Sequence, residues 1–198
     1  MVWGDIMPTF ILQNFMDCHP PKQDQIPAVP ERIGAWSNFI PASLIEIWIR
    51  SGFGFYGDSQ LCLLNPDEWV SILDRWVTPI SSASARAPVL MSPFGDLFYY
   101  RKLAGNEEDI SVIYIDSCEV EVISWRLDDF FNGTLCNMNQ LRNLMPAQLD
   151  WVQKRYGLLE RGQIYQMTPP KDGRPISVEK VSAKQAHEKR LDGMQKAI

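Results

Sequence analysis

The 198-residue sequence predicts an α+β fold, and three observations carry the prediction. Short aromatic and β-branched runs at residues 94–100, 112–116 and 120–123 are separated by turn signals, the pattern of an antiparallel meander. Apolar residues at 41–51 and 65–76 recur at helical spacing. A low-bulk, proline-bounded stretch at 79–88 separates the two patterns. The expected architecture is therefore two small apposed domains, residues 8–78 and 87–195. The first holds helices and a small hairpin, the second the meander with further helices.

Residues 8–17 place Phe10, Ile11, Phe15 and Met16 near helical spacing. That helix stops at His19-Pro20-Pro21, because a residue preceding proline is pushed out of the helical region. Residues 20–30 contain four prolines and read as an ordered arm over the surface. A helix follows at 41–51, with Pro41 in its first turn, Leu44, Ile45, Trp48 and Ile49 on one face, and Gly52 as its left-handed stop. Gly57-Asp58 marks a hairpin between residues 53–56 and 60–64. Asn65-Pro66-Asp67-Glu68 then combines an N-cap, a first-turn proline and acids that suit a helix N-terminus. Trp69, Ile72, Leu73 and Trp76 form the buried stripe of that helix.

In the second half, Pro93-Phe94-Gly95-Asp96 bends the chain into the central strand, residues 94–100. A polar loop leads to the strands at 112–116 and 120–123. A helical stretch at 126–131 ends at Asn132-Gly133, and helical spacing at 138–156 is broken or bent near Pro146. Residues 157–165 turn into a short extended piece, 168–174 form a loop, 176–181 a last strand, and 183–194 a basic helix.

Charge is unevenly spread. Residues 1–150 hold 19 acids and 9 Lys/Arg, whereas residues 151–198 hold 5 and 10. An acidic body repels phosphate and favours a cationic partner, which argues against direct nucleic-acid binding. No apolar run approaches the roughly 18 residues of a membrane helix. The first 14 residues carry Asp5 and Pro8 without a basic cluster, a poor export signal. Cys18, Cys62, Cys118 and Cys136 lack paired spacing and read as reduced thiols of a cytoplasmic protein.

Catalytic patterns are weak. Cys18-His19 puts a thiol beside an imidazole, yet catalytic pairs are usually assembled from distant segments, so a structural His19 is the default. The two histidines lie 168 residues apart, and nothing has metal-ligand spacing. Asp67-Glu68 and Asp128-Asp129 each begin a predicted helix, where acids complement the dipole. The expectation is a protein that is not an enzyme and uses no cofactor.

The acids between residues 107 and 129 are more informative. Glu107, Glu108, Asp109, Asp116, Glu119, Glu121, Asp128 and Asp129 are accompanied by Arg126 alone. If Glu119 and Glu121 share a strand face, their carboxylates lie side by side and invite a cation. With Trp125 as an aromatic anchor, these nine residues are the predicted partner-binding set. A solvated strand face is the plainer reading of the same charges.

Two parts of the layout resemble known bacterial families. His19-Pro20, Ile26-Pro27, Pro41, Leu44, Trp48, residues 52–55 and residues 65–68 resemble the GAD-like domain. Residues 94–100, Gly157-Leu158-Leu159, Tyr165 and residues 178–181 before the last helix resemble the C-terminal domain of immunity proteins that accompany type VI secretion DNase effectors. The resemblance implies a cytoplasmic antidote that binds and silences a secreted toxin, with no catalytic residues to carry over. The alternative is a scaffold, or a nucleic-acid-associated module using the basic residues from Lys180 to Lys196.

Overall fold

A computed structural model describes residues 10–38, 40–77, 85–140, 146–168, 170 and 176–195. It has the α+β character expected. Its main feature is a six-stranded antiparallel sheet whose spatial order follows the chain: β1 (Gly54–Tyr56), β2 (Leu61–Leu63), β3 (Arg86–Met91), β4 (Leu97–Lys102), β5 (Glu108–Ile113) and β6 (Val120–Ser124). A separate hairpin pairs β7 (Gln163–Thr168) with β8 (Ser177–Ser182).

The N-terminal hairpin and the C-terminal meander thus belong to one sheet. They are joined by β3, a strand that the sequence pattern hides. Pro88 and the small residues around it look like a linker, but Pro88 stands where the register with β4 shifts, an irregularity that accommodates a residue with no N–H. Cys62 and Leu63 of β2 pair directly with Met91 and Leu90 of β3. The predicted boundary stretch falls largely at residues 79–84, outside the described residues, and the sheet continues on either side of it.

Alternation along the strands divides the apolar residues between two faces. On one face Val89, Phe98, Tyr100, Ile110 and Val112 pack with Phe15 of α1 (Gln13–Cys18), with Ile33 of the one-turn α2 (Pro30–Ile33), with Leu44, Ile47 and Trp48 of α3 (Ala42–Ser51), and with Leu127, Phe130, Phe131 and Leu135. The last four follow β6 in a helical turn, α5 (Leu127–Asp129), that widens into a π turn and then tightens into a 3₁₀ segment. This core contains residues from both halves of the chain. The buried stripe of α3 is Leu44, Ile47 and Trp48, while Ile49 is exposed, so the face turns about one position from the one expected.

On the other face Met91, Leu97, Tyr99 and Ile113 meet Trp69, Ile72 and Leu73 of α4 (Pro66–Trp76), together with Ala183 at the start of α7 (Ala183–Gln195) and Ile164 of β7. Asn65 caps α4 as predicted, its side chain accepting from the Asp67 N–H at 3.2 Å. α6 (Pro146–Tyr156) begins at the proline that was expected to break or bend a longer helix. Its buried residues Leu149 and Val152 pack with Phe55, Tyr165 and Val178.

These layers converge on the Pro-Phe-Gly-Asp turn between β3 and β4. The Ser92 hydroxyl donates to Asp96 Oδ2 at 3.1 Å, and Asp96 Oδ1 accepts from the Ile115 N–H at 3.3 Å. Gly95 has φ +96°, a conformation that favours glycine, and a Cβ there would press to 2.7 Å on the Ile164 Cδ1 methyl. Its carbonyl meets His187 Nε2 at 2.9 Å, and Trp76 Nε1 donates to His187 Nδ1 at 2.9 Å. The neutral imidazole of α7 therefore accepts at one nitrogen and donates at the other. Burial pulls its pKa down to about 4 against the opposing bond to Gly95.

The sheet's two borders differ. Beside β1, the proline-rich arm predicted over the surface forms antiparallel bridges, Pro21 to Tyr56 and Ile26 to Phe53, with Ile26 and Phe53 exchanging two 2.8 Å backbone bonds. Beside β6, no described strand pairs.

Candidate functional site

The nine predicted partner-binding residues separate into internal ties and an exposed group. β5 begins at Glu108, so two acids assigned to a loop belong to a strand. Asp109 stands opposite Arg101 and is 0% exposed. Arg101 Nη2 lies 2.6 Å from Asp109 Oδ2 and Nε 3.0 Å from Oδ1, while the Ser111 hydroxyl donates to Oδ1 at 3.0 Å. The Asp109 carboxylate raises the Arg101 pKa and holds the guanidinium against it inside the fold. Asp109 thus cannot meet a partner while the sheet is intact, and the expectation for it is corrected.

Two more acids are engaged internally. Glu108 accepts from the Leu127 N–H at 2.9 Å and from the Tyr100 hydroxyl at 3.0 Å, fastening the start of α5 to β5. Burial, then the adjacent carboxylate, raises the Tyr100 pKa and keeps that hydroxyl a donor. Asp128 accepts from the Ser43 hydroxyl at 2.9 Å and ties α5 to α3. Its position at a helix start suggested capping, but its recorded partner is a side chain on another helix.

Glu107, Asp116, Glu119, Glu121, Trp125 and Asp129 are exposed. Glu107 and Asp116 lie beyond opposite ends of β5 and do not join one patch. Glu119 and Glu121 do share a face, as period two requires. Glu121 stands opposite Val112, and Glu119 pairs with Tyr114 through a 3.0 Å backbone bond. The Tyr114 hydroxyl orients Glu121 at 3.0 Å, and the Ser117 hydroxyl orients Glu119 at 2.9 Å. Asp129 and Arg126 form an exposed pair at 3.6 Å, of a kind worth little in water.

Of the apolar residues between these acids, the sequence reading singled out Trp125 alone. Val120 is 51% exposed, Val122 36% and Trp125 67%. Val120 and Val122 point to the face opposite Glu119 and Glu121. β6 thus offers valines on one side, carboxylates on the other and an indole just past its end. The signal was available: Val-Glu-Val alternation on the last strand of a meander places one side of each residue pair beyond the sheet.

Other sequence candidates are built into the fold. His19 is buried, with Nε2 2.9 Å from the Leu135 carbonyl, whereas Cys18 is exposed. All four cysteines are free thiols. Burial foremost, and then Cys18, pushes the Cys136 thiol up to about 12. Among the described residues no group of three or more His, Cys, Asp or Glu is placed to hold a metal ion. No helix of the described residues is long and apolar enough to cross a membrane. A cleft of about 530 Å³ lies among Phe94, Ile164, Met167, Lys189 and Met194, and of the predicted set only Asp116 lines it.

The basic C-terminal stretch is largely committed to internal contacts. Lys180 donates to the Leu158 carbonyl at 3.0 Å, Lys184 approaches Glu68 at 3.7 Å, and Arg190 donates to the Asp116 carbonyl. It works as a strap holding α7 and the β7–β8 hairpin to the main sheet.

A family model described as the GAD-like domain matches residues 10–114. The match extends past residue 78 and takes in β3, β4 and β5, in keeping with one continuous sheet. No curated protein matches the sequence. Among solved structures, the crystal structure of Atu4351 from Agrobacterium tumefaciens superposes with a TM-score of 0.70 at 16% identity, covering 90% of this chain and 87% of that one. At that identity the likeness concerns the fold.

Proposed function

The chain belongs to the GAD-like domain family, and from that premise we propose that it is an immunity protein, binding and neutralising a nuclease toxin of a type VI secretion system. The observation that carries the reading is the exposed border at β6, where Glu119 and Glu121 share one face and the exposed Trp125 and Asp129 follow in the chain, on a protein of net charge −5. The resemblance of residues 94–100, 157–159 and 178–181 to immunity proteins supplies the class of partner. A nuclease must present a basic cleft to DNA phosphates. Carboxylates offered to that cleft mimic the phosphates and accelerate encounter, and a neighbouring indole supplies a desolvated anchor. Action is stoichiometric, without turnover or cofactor, in the cytoplasm where the toxin would find its DNA.

The alternative nucleic-acid reading draws on the basic residues from Lys180 onward. The internal engagement of Lys180, Lys184 and Arg190 weighs against it.

Co-purification with the product of the adjacent gene, followed by DNA degradation with and without this protein, tests the proposal. A one-to-one complex that spares DNA is expected. Changing Glu119, Glu121 and Asp129 to lysine is expected to weaken the complex by more than about tenfold. A neighbour that neither binds nor degrades DNA overturns the reading.

A further inference from the structure

We infer that β6 is a strand-acceptor edge, taking up an extended partner segment that alternates apolar residues with Lys or Arg. The inference depends on the immunity reading for the partner's source and on the edge itself for the mode of binding.

Glu119 bonds its backbone to Tyr114, and the register then runs Val120 to Ile113, Glu121 to Val112 and Val122 to Ser111. In an antiparallel pair, successive residues turn their N–H and C=O alternately towards and away from the neighbour. With Glu119 and Glu121 bonded inward, the backbone groups of Val120 and Val122 point outward. No described residue pairs with them.

Open edges are normally blunted by lysine, proline or a bulge. β6 contains neither lysine nor proline, and its register shift lies at the other end, between Ile110 and Ser111, leaving residues 120–122 regular. A strand added here finds an apolar surface at Val120 and Val122 and a carboxylate surface at Glu119 and Glu121. Its own residues must alternate in the complementary way, apolar against valine and cationic against glutamate.

The same carboxylates disfavour a second copy. Two β6 strands paired antiparallel about Glu121 set glutamate directly against glutamate, which is destabilising. A basic segment of another protein is the occupant that this charge pattern fits.

The test uses the full chain and a blocked hexapeptide of alternating Lys and Val, read by titration and by hydrogen exchange at the Val120 and Val122 amides. Saturable, salt-sensitive binding that slows both amides is expected. Val122→Pro removes an outward N–H without removing a bond to β5, so it is expected to melt with the wild type yet bind at least about tenfold more weakly. Glu119→Lys with Glu121→Lys retains the backbone and is expected to lose binding to a similar degree.

Absence of saturable binding, or binding untouched by both variants, overturns the inference. Tighter binding of a peptide copying residues 119–124 overturns it in favour of self-association. With the product of the adjacent gene as probe, equal affinity for wild type and Val122→Pro overturns strand addition and leaves the immunity reading intact. If the hexapeptide binds and the gene product does not, strand addition stands and the immunity reading falls.

Discussion

The two borders of the main sheet received opposite treatment. At β1 the chain closes its own edge: Pro21 and Ile26 bridge to Tyr56 and Phe53, and Gly52 lets the arm approach α3 closely. At β6 no described residue pairs with the outer edge, which alternates in character and precedes a two-thirds exposed indole, Trp125 at 67%. The first border uses its backbone hydrogen bonds within the chain, and on the proposed reading the second offers them to a partner. Acidity alone does not mark the second border, because Asp109, one strand inward, is as structural as any core leucine.

The strongest way to break the comparison is to remove that inner acid. Asp109→Ala leaves Arg101 charged and without its partner beneath the open edge, and is expected to cost about 3–5 kcal/mol. Urea unfolding measures this; a loss below about 1 kcal/mol returns Asp109 to the surface set.

Acid loosens the face between the borders. His187 has a folded pKa of about 4 against an ordinary value of 6.5, so the unfolded chain binds the extra proton first. The neutral ring contributes its full stability above pH 6.5, and as pH falls from there towards 4 about 3 kcal/mol is lost. Unfolding free energies at pH 7 and 4.5 reveal the slope, and His187→Gln is expected to flatten it.

At the closed border Gly52 has φ +77°, and a Cβ would stand 2.4 Å from the Ile26 carbonyl oxygen. Gly52→Ala is expected to destabilise by about 2–3 kcal/mol and to speed exchange at the Ile26 amide. The open border tolerates change: Glu119→Lys with Glu121→Lys is expected to shift stability by less than about 0.5 kcal/mol. A large loss there makes β6 a structural edge and erases the contrast.

Much of this was legible in residues. Asn65-Pro66 announced α4, Gly52 the end of α3, Gly57-Asp58 the first hairpin and the alternation of Glu119 and Glu121 their common face. The joining strand β3 was not, because Pro88 and Ala87 carry a linker's composition while the bulge that admits proline is a property of pairing. Nor was the fate of Asp109, although Arg101 and Asp109 flank a turn and a hairpin register sets them opposite. The imidazole shared by Trp76 and Gly95 joins three distant segments, and no local pattern reports it.

The turn at residues 92–96 has a consequence for the order of folding. Its Pro93 carbonyl accepts from the Tyr165 N–H at 2.8 Å, and its Gly95 carbonyl meets His187, 92 residues later in the chain. Closing loops of that length costs entropy that nearby contacts do not repay at once. The meander can pair while these carbonyls are still wet, and docking of the C-terminal hairpin and helix then dries them. A refolding experiment is therefore expected to separate early protection of β4 and β5 from later protection at His187, with the whole body completed by its final strap.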